Sequence, residues 1–272
     1  MKEHGAGELV RRWRERRRLS QLELSNLASV SARHLSFVET GRSQPSREVL
    51  LHLADRLDVP MRERNALLLA AGYAPLYRET PFDAPQWAEV RVAVRQLLEA
   101  YHPYPALVVD GRWNLLDSND AAMLLVAGVD PALLEPPVNV IRLGLHPEGL
   151  PRLAANAVEF SMHLLGRLER QVELNADDEL GALLEEVRGY LPPDVRSVGL
   201  AADEEIVTVL DLRTDVGPVR LFTTIATIGT PLDITAAELA IETFLPADPL
   251  SASRLHELAS LRHDVALVRS SS

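Results

Sequence analysis

The sequence predicts two folds in one chain. The first is an all-α domain of five short helices over residues 1–74; the second, over 103–248, is an α+β domain with a five-stranded antiparallel sheet and helices. Three observations predict this division. Apolar residues recur at helical spacing, between serine starts and glycine stops, as far as Gly72, and alternation of the strand kind begins only after Pro105. Residues 1–78 hold 14 Lys and Arg against 9 Asp and Glu, whereas 79–272 hold 14 against 30. The net charge of −11 therefore conceals a basic head of +5 on an acidic body of −16. Between them lies Gly72–Pro85, with Pro75, Pro81 and Pro85 and no helical period, which reads as a connector.

The elements of the head follow in order. Helix one spans about Glu8–Arg18, with Leu9 and Trp13 on its inner face. Ser20 starts helix two, and Ser20-x-x-Glu23 fits a capping box that satisfies two otherwise unpaired amides. Leu22, Leu24, Leu27 and Ala28 supply its apolar contacts. Ser31 caps helix three, which turns Leu35 and Val38 inward and stops at Gly41, where glycine takes the left-handed conformation easily. Ser46 starts helix four (Leu50, Leu53, Ala54, Leu57), closed by Val59-Pro60, and helix five runs from about Arg62 to Ala71. Helices two and three, joined by a tight turn, form a helix-turn-helix, a shape that seats one helix end in the major groove of DNA.

The run L-S-Q-x-E-L-S … S … L-x-x-V-E-x-G-R-S-x-P-S, within residues 8–72, resembles the Xre/Cro/phage-repressor helix-turn-helix family. The resemblance implies that Gln21 bonds a phosphate and braces the recognition helix, and that Ser31 caps that helix beside the DNA backbone. It also implies that Ala32, Arg33 and Phe37 face base edges with His34 at the rim, that Arg42 and Ser43 lie in a phosphate-gripping loop, and that Arg14 and Glu39 form a partly buried ion pair. Arg33 has the chemistry for a bidentate pair with guanine, while Ala32 and Phe37 offer apolar contact only. Blander readings stand beside these: Arg16-Arg17-Arg18 as a solvated helix end, His34 as a surface residue and Phe37 as a packing residue.

Residues 75–102 comprise the linker and a connecting helix, Gln86–Tyr101, whose stripe of Val90, Val94, Leu97 and Leu98 suits packing on the next domain or on a second copy. Ala106–Leu116 reads as two strands around an Asp110-Gly111 turn, followed by a helix from Asp117 to about Val126. A long helix is expected over Leu150–Arg170 and another over Asp177–Tyr190, ended by Pro192-Pro193. Strands are expected at Ile206–Leu212, Val219–Ile228 and Leu239–Leu245, with a C-terminal helix and tail over 249–272. Two strands, several helices and three antiparallel strands follow the order of a PAS-like domain.

Pro105–Asn114, Ser118-Asn119-Asp120-Ala121-Ala122 and Asn139-Val140-Ile141-Arg142 resemble the ligand-binding domain of MmyB-like regulators, over about residues 100–248. That resemblance implies sensing of a small apolar molecule, with a fatty acid the leading suggestion. A domain rich in Leu, Val, Ile and Ala and poor in aromatics suits an aliphatic chain better than a planar cofactor. Arg142 can pair with a carboxylate, and Asn119, Asn139 or His146 can add hydrogen bonds. Each also has a structural reading: Asn119 and Asn139 as turn braces, Arg142 as an internal ion-pair partner, His146 as a loop residue.

The chain has no cysteine, which excludes disulfides and thiol chemistry, and no phosphate-binding glycine loop, metalloprotease motif or serine elbow, so enzymatic function is not expected. Glu159, His163 and Arg167, four apart, read as a solvated charge ladder, and His146 with Glu148 has poor spacing for a metal. No apolar run is long enough to span a membrane and the N-terminus lacks a signal-peptide core, so a cytoplasmic home is expected. The partners expected are a double-stranded DNA operator, bound by a homodimer, and a small apolar ligand. No cofactor is expected, a bound fatty acid aside. The competing reading makes the C-terminal domain an antitoxin-like protein-interaction module without a small ligand.

Overall fold

Serine hydroxyls start three of the first five helices. In the computed structural model, residues 5–175, 177–191 and 207–270 are described, their side chains as far as residue 261. The chain divides into two compact units, one of residues 1–80 with 171–177 and 230–237, the other of 81–170, 178–229 and 238–272.

The first unit contains α1 (Ala6–Arg16), α2 (Gln21–Leu27), α3 (Ala32–Glu39), α4 (Arg47–Arg56) and α5 (Met61–Ala70). The capping box is present: Ser20 Oγ accepts from Glu23 N at 3.2 Å, and Glu23 accepts from Ser20 N at 2.7 Å. Ser31 accepts from His34 N and Ser46 from Val49 N, so each helix begins with an amide satisfied. Trp13, Leu24, Leu35, Leu50, Leu53 and Leu57 form the core. Leu22 and Leu27, expected to pack inward, face solvent instead, because the buried side of α2 is narrow and already filled by Leu24 and Ser25. α1 lies so close to α3 that a Cβ on Gly7 would overlap the carbonyl oxygen of Val38.

The second unit centres on a sheet of β1 (Ala106–Val109), β2 (Leu115–Ser118), β3 (Val209–Leu212), β4 (Val219–Thr227) and β5 (Ala240–Pro246). The strands are antiparallel, in the order β2-β1-β5-β4-β3, so the last strand is central and pairs with β1 and β4. Around it stand α6 (Ala88–Ala100), α7 (Val140–Leu145), α8 (Ala157–Asn175), α9 (Asp178–Arg188) and α11 (Pro249–Ser270), with α10 (Ile234–Glu238) before β5. Residues 171–175 of α8 and 234–237 of α10 fall in ranges grouped with the first unit.

Four expectations about the elements are corrected. The turn at Asp110-Gly111 is longer than a two-residue hairpin, and β2 starts at Leu115. Asp110 Oδ1 accepts from the backbone of Arg112 and Asn114, at 2.8 and 2.9 Å, and Oδ2 accepts from the Asn114 side chain. This wraps the chain around the carboxylate and holds Trp113 at φ 68°. Asp117–Val126 is strand end and then a 3-10 turn over Asp120–Val126. The helix expected from Leu150 is broken: residues 150–152 form a 3-10 turn and α8 starts at Ala157. Between them the sheet edge captures the chain, with Ala155 N donating to Asp211 O and Asn156 bonded to Val209 O and Asp211 N. Lastly, Asn139–Arg142, where no helix was expected, initiates α7, with Asn139 as its cap. Ile206 and Pro192-Pro193 lie outside the described residues.

Candidate functional site

The helix-turn-helix is fixed by a polar junction rather than by apolar packing alone. Glu39, buried on α3, accepts from Arg14 Nε at 2.7 Å, Arg14 Nη2 at 2.9 Å and Gln21 Nε2 at 2.8 Å. Arg14 Nη1 also donates to Leu19 O at 2.8 Å, beside the start of α2. The hydrogen bond to Glu39 raises the Arg14 guanidinium above its ordinary value. One carboxylate therefore gathers α1, α2 and α3. Gln21 spends an amide hydrogen on this brace.

Ser31, Ala32 and Arg33 are exposed at the first turn of α3 and His34 is half-buried beside them. Arg33 stands with its guanidinium carbon 5.3 Å from the ring centre of Phe37, one turn on. Phe37 is half-buried, so its ring props the arginine while its other edge packs. Arg42 N and Ser43 N both donate to Phe37 O, at 2.8 and 3.1 Å, which ties the following loop to the same helix end. Arg17 is committed to structure: it donates to Leu57 O and Asp58 O at the end of α4.

In the second unit, a cavity of about 420 Å³ opens between one face of the sheet and α7, α8 and the 3-10 turn of 120–126. Alternation along the strands puts Glu242 and Phe244 of β5, Leu107 of β1 and Thr223 of β4 on its wall. α8 contributes Phe160, His163, Leu164 and Arg167, spaced as one helical stripe. On α7, a Cβ at Gly144 would stand 2.5 Å from Leu164 Cδ2, so glycine lets the two helices close on one side of the space. Most of the lining is aliphatic, and the wall also carries two polar pairs. Arg167 Nη1 donates to Glu242 Oε1 at 2.7 Å, and its guanidinium carbon lies 4.2 Å from the ring centre of Trp113. His163 Nδ1 lies 2.9 Å from Thr208 Oγ1. Partial burial, then Arg170 and Arg167, hold the His163 imidazole below its ordinary value.

A profile of the MmyB-like transcription regulator ligand binding domain matches residues 90–258, more than half of the chain. The chain belongs to that family. A helix-turn-helix domain profile matches residues 6–67, so the protein is a DNA-binding transcription regulator with a ligand-binding domain. A search of the curated proteins found no match.

Within this MmyB-like domain, the four residues expected to hold a ligand stand away from the cavity wall. Asn119 is buried and braces the sheet: it accepts from Ala106 N and Ala122 N and donates to Leu98 O and Tyr104 O. Asn139 caps α7 and donates to Arg112 O. Arg142 forms two 2.8 Å bonds to Glu186 and ties α7 to α9. His146 packs edge-on against Tyr190, whose hydroxyl, bonded to Glu186 and pushed up to about 12 mainly by burial, stays protonated. The charge ladder expected on α8 holds in part: Glu159 and His163 are exposed, but His163 and Arg167 also line the cavity. The sequence signal for that was Glu242, a carboxylate inside the apolar strand Leu239–Leu245. A buried acid there requires a cation from a facing element.

Among the described residues, no helix is long and apolar enough to cross a membrane, and no three His, Asp or Glu gather as a metal site.

Proposed function

We propose that this chain is a cytoplasmic Xre-type transcription factor and not an enzyme. It binds a DNA operator as a homodimer and senses a small apolar ligand with an aliphatic chain, a lipid of the fatty-acyl class. The observation that carries the reading is the cavity of about 420 Å³ walled by Leu, Val, Ile and Phe side chains, inside the range of roughly 300–1,000 Å³ for small-molecule sites. A ligand that fits one dimer arrangement better than another shifts DNA affinity by the difference in its binding energy.

On the DNA side, Arg33 reads a base, with Ala32 and Phe37 giving apolar contact and His34 at the rim. Gln21, Ser31, Arg42 and Ser43 position the helix on phosphates. Arg33→Ala is expected to flatten preference at one position of the operator by about 1–3 kcal/mol in a binding-site selection. Unchanged specificity would remove Arg33 from its role. On the ligand side, solvent extraction and mass spectrometry of the purified protein are expected to release a stoichiometric aliphatic compound. A protein that carries none, and takes up no aliphatic probe, would overturn the sensing role.

A further inference from the structure

We infer that the cavity selects an uncharged aliphatic ligand, one ending in a hydroxyl, ester or amide, and rejects the free carboxylic acid of the same chain length. The inference rests on the cavity being the ligand site, as proposed above, and narrows what enters it. Among the described residues lining the space, the formally charged groups are Arg167 and Glu242, and they face each other at 2.7 Å. Partial burial, then Arg170 and Arg167, lower the His163 imidazole, and its Nδ1 is engaged with Thr208 Oγ1 at 2.9 Å.

The cation that would receive a ligand carboxylate is therefore already spoken for. Glu242 is buried, on the central strand, between Leu107 of β1 and Ile225 of β4 in the register. It cannot swing out to water without leaving the sheet face. An incoming carboxylate would either sit beside Glu242, two like charges in an apolar wall, or take Arg167 and strip a buried acid of its partner. Trp113 restricts the alternative of moving the arginine, since its ring lies against the guanidinium and its backbone is pinned by Asp110. An uncharged end meets none of these penalties. A hydroxyl can donate to Glu242 and accept from a guanidinium N–H, and an ester or amide carbonyl can accept from the same group, with the ion pair left intact.

The test uses the full chain and a set of probes with one chain length: dodecanoic acid, dodecanamide, dodecanol and methyl dodecanoate. Binding is titrated near neutral pH by calorimetry and by tryptophan fluorescence, with Trp13→Phe and Trp87→Phe substituted so that the signal comes from Trp113 at the polar end of the cavity. The amide, alcohol and ester are expected to bind at least about tenfold more tightly than the acid, a difference of about 1.4 kcal/mol. Amide against acid is the decisive pair, because shape is nearly constant and charge is not. Acid binding as tight as amide binding overturns the inference while leaving an aliphatic sensor in place. Failure of all four probes overturns the sensor reading itself. In E242Q, checked for folding by circular dichroism, Arg167 is released and the acid is expected to gain at least about tenfold on the amide. A folded E242Q with the original order would show that Glu242 is not the selector.

Discussion

Two Arg–Glu pairs, each with a buried carboxylate, occupy very different positions in this molecule. Arg14 and Glu39 sit in a closed junction, where the carboxylate has three donors from two helices and Arg14 also holds Leu19 O. Arg167 and Glu242 stand at the wall of an open space, with an aromatic ring on one side of the guanidinium. The chemistry of the pair is the same; the volume beside it differs. Where no space is left, the pair locks helices together. Beside the cavity, in the reading proposed above, it would offer hydrogen-bonding groups to a guest and set the charge that guest can carry.

The contrast predicts unequal costs. Glu39→Ala should destabilise the helix-turn-helix by about 3–5 kcal/mol, since it leaves the buried Arg14 guanidinium without its carboxylate partner. Glu242→Ala should cost less, about 1–3 kcal/mol, because Arg167 is partly exposed to the cavity and can be solvated there. Urea unfolding of the full chain, followed by circular dichroism, measures both; equal losses would break the comparison. Gly7→Ala tests the tightness of the first region by steric means. The methyl group meets the backbone of α3, so a loss of about 1–3 kcal/mol and weaker operator binding are expected. Normal stability and affinity in that variant would mean that α1 and α3 can separate freely.

Ser31→Ala removes the cap on His34 N and should cost about 1 kcal/mol. The smallest effect belongs to the cavity. His163 binds a proton less readily in the folded chain than in the unfolded one. Its contribution to stability is therefore complete above the ordinary imidazole value of about 6.5 and declines as pH falls from there through its lowered folded value. His163→Gln should flatten the stability profile in that window, and an unchanged slope would place the titration elsewhere.

The first region was legible in the sequence because its signals are local. Ser20 with Glu23, Ser31 and Ser46 each declare a helix start within four residues, and Gly41 at φ 71° declares a stop. The ion pair of Arg14 with Glu39 came through family resemblance, not through spacing. The cavity was legible as composition only. Its polar end is assembled from Trp113, Arg167 and Glu242, three distant segments that only the sheet topology brings together. The residues expected there instead, Asn119 and Asn139, are conspicuous in sequence because turns need them, and turns are where they act. The broken start of α8 was hidden for a similar reason: the helical period is present, but the edge of β3 claims the backbone of residues 154–156 first.

The three bonds on Glu39 carry a further consequence for control. With α1, α2 and α3 fastened through one carboxylate, the reading helix is poorly suited to being reshaped in place. In the homodimer proposed above, a ligand would have more leverage over the distance and angle between two such readers than over the inside of either. Its action would then be a matter of spacing: two fixed stamps, brought into or out of step with successive turns of the duplex.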